Sequence, residues 1–137
     1  MSLSARAQFT PRGDLGRFVE AYINPGVVAS VEASCKLIED RTKELCPVDT
    51  GALQSSYHTT IDDSGKTVVG TVGSDLYYAP YVEYGTGIRG AGSAGAGPGP
   101  YSTTWPGMTP RPHLRPAFDE ARGSVLGLFR SNISLAL

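Results

Sequence analysis

Three groups of residues in this 137-residue chain have types and spacings that could do chemistry. The first lies in PVDTGALQSSYH (47–58), where Ser55 or Ser56, His58 and Asp49 or Asp62 offer a nucleophile, a base and an orienting acid. On the two-residue period of a strand, Ser56 and His58 share a face. A small serine-type hydrolase using Ser56 and His58 is therefore an alternative reading, although no GxSxG elbow holds either serine. The polar solvent face of a hairpin accounts for the same residues.

The second group, GTGIRG (85–90), matches the dinucleotide-binding GxGxxG letter for letter. That motif works where a helix aims its first amides at a pyrophosphate and an acid follows about 20 positions on. Here AGSAGAGPGP follows, which does not sustain a helix, and the acid is missing. The third group is Cys35, Cys46, His58 and His113, which lack any CxxC or HxxxH spacing for a metal. On one helix the two cysteines stand about 16 Å apart, beyond the ~7 Å reach of a disulfide, so Cys35 reads as a small core residue. The chain reads as non-enzymatic, with no catalytic residue, cofactor or metal.

The elements that carry these residues follow from periodicity. Residues 1–13 form a disordered or extended N-terminal arm, and residues 14–137 form one α+β domain with an inserted flexible loop at 85–109. DLGRFVEAY places Leu15, Phe18, Val19 and Tyr22 on one helical face. Asn24-Pro25 opens a long amphipathic helix in which Val28, Val31, Cys35, Ile38 and Leu45 recur as far as Cys46-Pro47. Glu32 with Lys36, and Glu39 with Lys43, sit at i, i+4 on its solvated face. Pro47 ends this helix, Asp49 or Thr50 accepts from the next amides, Gly51 permits a tight turn, and Leu53 pins the corner to the core before a strand begins at about Ser55. Two β-rich runs around Asp62-Asp63-Ser64-Gly65 make an antiparallel hairpin. A C-terminal helix, with Pro116 as its first residue and Phe118, Val125, Leu128 and Phe129 on its apolar face, packs on the sheet.

Composition excludes several functions. A net charge of −1 provides no general attraction to nucleic acid or anionic membranes. No apolar run approaches the ~20 residues that span a bilayer, and MSLSARAQFTPRGD has no signal-like apolar core, so a cytoplasmic origin is expected. DLYYAPYVEYGT puts Tyr77, Tyr81 and Tyr84 at i, i+4, i+7 of a short helix, with Tyr78 and Glu83 beside them. Tyrosine suits a satellite core and a subunit contact alike, and both readings stay open. The glycine-rich loop is too long for simple packing. It carries Arg89, Tyr101 and Trp105, and with Arg111 and Arg115 the stretch from Tyr84 to Phe118 holds three arginines and no acid. Residues 87–109 are expected to order on assembly, anchored by Tyr101 and Trp105.

PVDTGALQSS (47–56), YAPYVEYGT (78–86) and PRPHLRPAF (110–118), in that order and spacing, resemble the gene-product-ten-like tail-component family of long-tailed bacteriophages. The family pattern commonly has a basic residue where Gln54 stands and phenylalanine where Tyr84 and His113 stand. The resemblance implies a structural protein of the virion, without activity or cofactor, that assembles in the host cytoplasm. It would form a homo-oligomeric ring, usually six-fold, in the neck or at the tail end, between a connector protein and the tail-tube protein. The tyrosine cluster, Glu83, the loop and Arg111 or Arg115 are the expected contacts, and a basic lumen could touch passing DNA.

Overall fold

The computed structural model describes residues 3–9, 24–65, 67–91, 100–102 and 104–136. In chain order the elements are β1 (Leu3–Phe9), α1 (Asn24–Leu45), α2 (Ala52–Ser56), β2 (His58–Asp62), β3 (Val68–Ser74), α3 (Ala79–Tyr84), α4 (Gly87–Ala91) and α5 (Leu114–Ala136). The expected helix at 14–22 lies outside the described residues.

The β2–β3 hairpin forms as the alternation predicts, with His58 opposite Gly73 and Asp62 opposite Val69. Asp62 Oδ1 organises its turn by accepting from the Ser64 amide (3.0 Å) and hydroxyl (2.6 Å). The third strand comes from the N-terminus. β1 pairs antiparallel with β3 from Leu3–Ser74 to Phe9–Val68, so the order is β1-β3-β2 with β3 in the centre. Of the two alternatives for the first residues, Leu3–Phe9 take the extended one, as a sheet strand and not a free arm.

α1 covers one face of this sheet. Val27, Val31, Cys35 and Ile38 recur at helical spacing and share a buried core with Leu3, Tyr57, Val68 and Val72. Burying each such side chain fully contributes about 1.5–3 kcal/mol. Gly70 of β3 makes the close approach possible: a Cβ there would collide with the Cys35 sulfur and come within 2.8 Å of Val31 Cγ1. Glu39 departs from the solvated face assigned to it. It is buried, accepting from Thr59 Oγ1 of β2 (2.7 Å) and Lys43 Nζ (2.6 Å). Burial works against its charge, but the hydrogen bonds from Lys43 and Thr59 outweigh it and hold the carboxyl below its ordinary value. Lys36 pairs with Asp40 (2.9 Å) and Glu39 (3.6 Å).

α5 lies along α1 and also reaches β1 of the sheet. Its start stands beside the end of α1, with Arg41 Nε 2.6 Å from Glu120 Oε2, so the two helices run antiparallel. Leu114, Ala117 and Ala121 form its buried face, with Phe118 and Phe129 packed half-buried at the margin.

Candidate interaction surface

The corner at 47–56 is built from the end of α1. Pro47 has no amide to donate to the carbonyl of Lys43, four residues back. Gln54 fills that vacancy: its Nε2 donates to the Lys43 carbonyl at 2.8 Å. Gly51 adopts φ 82°, Thr50 Oγ1 accepts from the Ala52 amide (3.3 Å), and Leu53 is buried. Residues Ala52–Ser56 are a short helix, and the strand starts at His58 instead of Ser55. Asp49 and Thr50 are both exposed, and Thr50 is the one that accepts from the next amide. Gln54→Ala is expected to cost about 1–2 kcal/mol, because it strands a helix-terminal carbonyl; a shift of the urea midpoint at constant slope measures this.

The serine–histidine pair does not assemble. Ser56 Oγ donates to the Leu53 carbonyl (2.6 Å) and lies 2.6 Å from Ser74 Oγ. The contact of His58 is its Nδ1 with the backbone carbonyl of Ser56 (3.1 Å), and its Nε2 lies 3.8 Å from Asp75 on the exposed side. Among the described residues no cluster of three or more metal-ligating side chains occurs.

The tyrosine stretch divides. α3 begins at Ala79 with Pro80 in its first turn, so Tyr77 lies before the helix instead of on its face. Tyr77 is 71% exposed and meets Tyr78 edge-on at 5.4 Å. Tyr78, Tyr81 and Tyr84 are half-buried, and Tyr78 and Tyr84 pack against the core. Glu83, expected at the surface, is only 2% exposed. Its Oε2 accepts from the amides of His113 (2.8 Å) and Leu114 (3.0 Å), and its Oε1 from Arg115 (3.0 Å). A helix start leaves four amides without partners. Glu83 takes three, and the fourth residue is Pro116, which has no N–H. The carboxylate also sits where the helix dipole favours negative charge.

His113 completes this interior. Its Nδ1 donates to the Arg111 carbonyl (2.8 Å) and lies 3.2 Å from Glu83, and its Nε2 meets the Tyr57 hydroxyl at 2.6 Å. The tautomer with its hydrogen on Nδ1 satisfies both contacts, with Tyr57 donating. Burial, then the nearby charge of Glu83, pushes the Tyr57 hydroxyl and the Cys46 thiol above their ordinary values. No sequence signal singled out this set; the distance between 57, 83 and 113 along the chain hides it.

The glycine-rich segment contains order that its composition conceals. Gly87–Ala91 is a short helix, α4, where none is expected. Thr86 and Met108 exchange backbone hydrogen bonds (2.9 and 3.1 Å), Ile88 donates to Trp105 (2.9 Å), Arg89 to Pro106 (3.0 Å) and Gly87 to Pro100 (2.9 Å). These bonds close 85–90 onto the described residues of 100–108 as a clasp within one chain. Gly107 is at φ 68°, and a Cβ there would run into Thr86. Tyr101 is half-buried and packs over Gly90, whereas Trp105 is 53% exposed, with Ile88, Arg89 and Met108 beside it on the clasp surface. Arg111 and Arg115 are exposed as well.

Comparison with known proteins follows this geometry. Residues 27–85, from α1 through the corner and hairpin to the end of α3, match a family model described as "Bacteriophage HK97-gp10, putative tail-component". This is the family the motifs resemble. The match contains PVDTGALQSS and all but the last residue of YAPYVEYGT, while PRPHLRPAF lies beyond it. No curated protein and no solved structure gives a match. The likeness is thus to a family described as a phage tail component, over that segment of the chain. Among the described residues no helix is long and apolar enough to cross a membrane.

Proposed function

We propose that this chain is a ring-forming component of the neck or tail end of a long-tailed phage, joining the head connector to the tail tube. The tail-component match over residues 27–85 carries this reading. The surface is consistent with it: the corner, Glu83 and His113 are committed to holding the chain together, whereas the clasp and Tyr77 expose aromatic and arginine side chains of the kind that dominate protein contacts. The mechanism is geometric. Identical subunits pair two different surfaces around an axis, and a closed rotation makes a ring, with six copies favoured. Tyr77, Tyr78, Tyr81, Tyr84, Tyr101 and Trp105 would supply the apolar contact area. Arg111 and Arg115 would face an acidic neighbouring layer or DNA passing through the lumen.

Mass measurement on the purified protein, alone and with tail-tube protein, tests the reading. The expected particle is close to six times the 14.4 kDa chain mass, and its mass rises when tube protein is added. Phage made without the gene should accumulate unjoined heads and tails. Normally joined particles from that mutant would reject the proposal.

A further inference from the structure

The sheet has one face under α1 and one that no described element covers. On the uncovered face His58, Thr60 and Ser4 are exposed, and together with Gly73 they line a depression of about 300 Å³. Its wall includes Thr71 and ends at Asp75, whose carboxylate is 89% exposed. The clasp offers the complementary shape and charge, with Trp105 projecting and Arg89 beside it. Charge is also divided along the chain. Residues 85–118 contain three of its twelve basic residues and none of its thirteen acidic ones, leaving nine basic against thirteen acidic residues elsewhere. The clasp and the depression share no residue, so one chain carries both halves of a head-to-tail contact.

We propose that the clasp of one copy seats on the uncovered sheet face of a second copy, with the Trp105 indole in the depression over Gly73 and Arg89 against Asp75. This rests on the ring reading and names the surfaces that would form the ring. The two halves differ, so the contact leaves each copy one clasp and one depression for its neighbours, which is the requirement for closure beyond a dimer. An indole packed into a pocket beside an arginine–carboxylate pair has the composition of an interface centre. Thr60 and Thr71 provide a β-branched wall for the ring to lie against.

Sedimentation of the purified full-length protein over a concentration series tests this. Arg89→Glu, Asp75→Arg and Trp105→Ala are each expected to weaken self-association at least about tenfold, the scale of a centrally placed contact. Arg89→Glu combined with Asp75→Arg should recover most of it. Thermal melts should stay at the parent value, since all three side chains are exposed. As a second measurement, mixing a Trp105→Cys copy with a Thr60→Cys copy under mild oxidation should link unlike copies. If the parent associates and the single variants associate equally well, or if unlike copies do not link, this surface assignment is wrong and the ring reading stands. A parent that stays monomeric through the whole series, with no linkage of unlike copies, removes both.

Discussion

Glu83→Ala is expected to destabilise the domain by about 3–5 kcal/mol, the scale for removing one partner from a buried charged network. The substitution strands three amides at the start of α5 and removes the carboxylate beside His113 Nδ1. Total stability for a domain of this kind is about 5–15 kcal/mol, so the variant should be near its unfolding threshold at 37 °C. Glu83→Gln keeps one carbonyl oxygen but turns amide hydrogens toward amide hydrogens, and it should lie between the parent and Glu83→Ala. Urea unfolding followed by circular dichroism measures both. A midpoint change worth less than about 1 kcal/mol in Glu83→Ala would mean that the α5 amides find other partners.

The second large effect is expected at Gly70. Even Gly70→Ala places a Cβ against the Cys35 sulfur and within 2.8 Å of Val31 Cγ1, from the helix that covers the sheet. Neither neighbour is the free end of a long side chain, so α1 must move away from β3. Overpacking of this type costs about 1–3 kcal/mol, and Gly70→Val should exceed Gly70→Ala. Cys35→Ala removes the sulfur that causes the worst overlap. The double variant should therefore be more stable than Gly70→Ala alone, although Cys35→Ala by itself loses buried contact. Additive losses in the double variant would place the strain somewhere other than this sulfur.

The local parts of the fold were readable in the residues. Regular spacing of Val31, Cys35 and Ile38 announced α1, and alternation about Asp62–Gly65 announced the hairpin. Pairing of β1 with β3 was not readable, because nothing in seven residues of ordinary alternation states which strand edge they meet. α2 is not legible in the residues because a five-residue helix rich in serine has no full period to display. α4 is hidden because glycine-rich composition argues against helix, and backbone bonds to Pro100, Trp105, Pro106 and Met108 override that local preference.

The candidate surface was legible only in part. Composition marked Trp105 and Arg89, and both are exposed. Glu83 carried a surface expectation because an acid among tyrosines looks like a contact residue; its partners lie thirty residues downstream and are backbone amides, which leave no trace in side-chain spacing. His113, where the family resemblance has phenylalanine, is accommodated because Tyr57 and Arg111 satisfy its two nitrogens. Gln54, where the family pattern is basic, still donates to the helix end, so the need for a donor explains both residue types.

The placement of β1 has a consequence for how the chain is made. Leu3 leaves the ribosome before anything it pairs with, and its partner Ser74 follows only after the long helix and the hairpin. At about 5–20 residues per second, that strand waits on the order of several seconds with its backbone groups bonded to water. Meanwhile α1 and β2 are already available to one another. A strand made well before its partner is thus held back from docking, and a non-local closure of this kind should set the pace of folding.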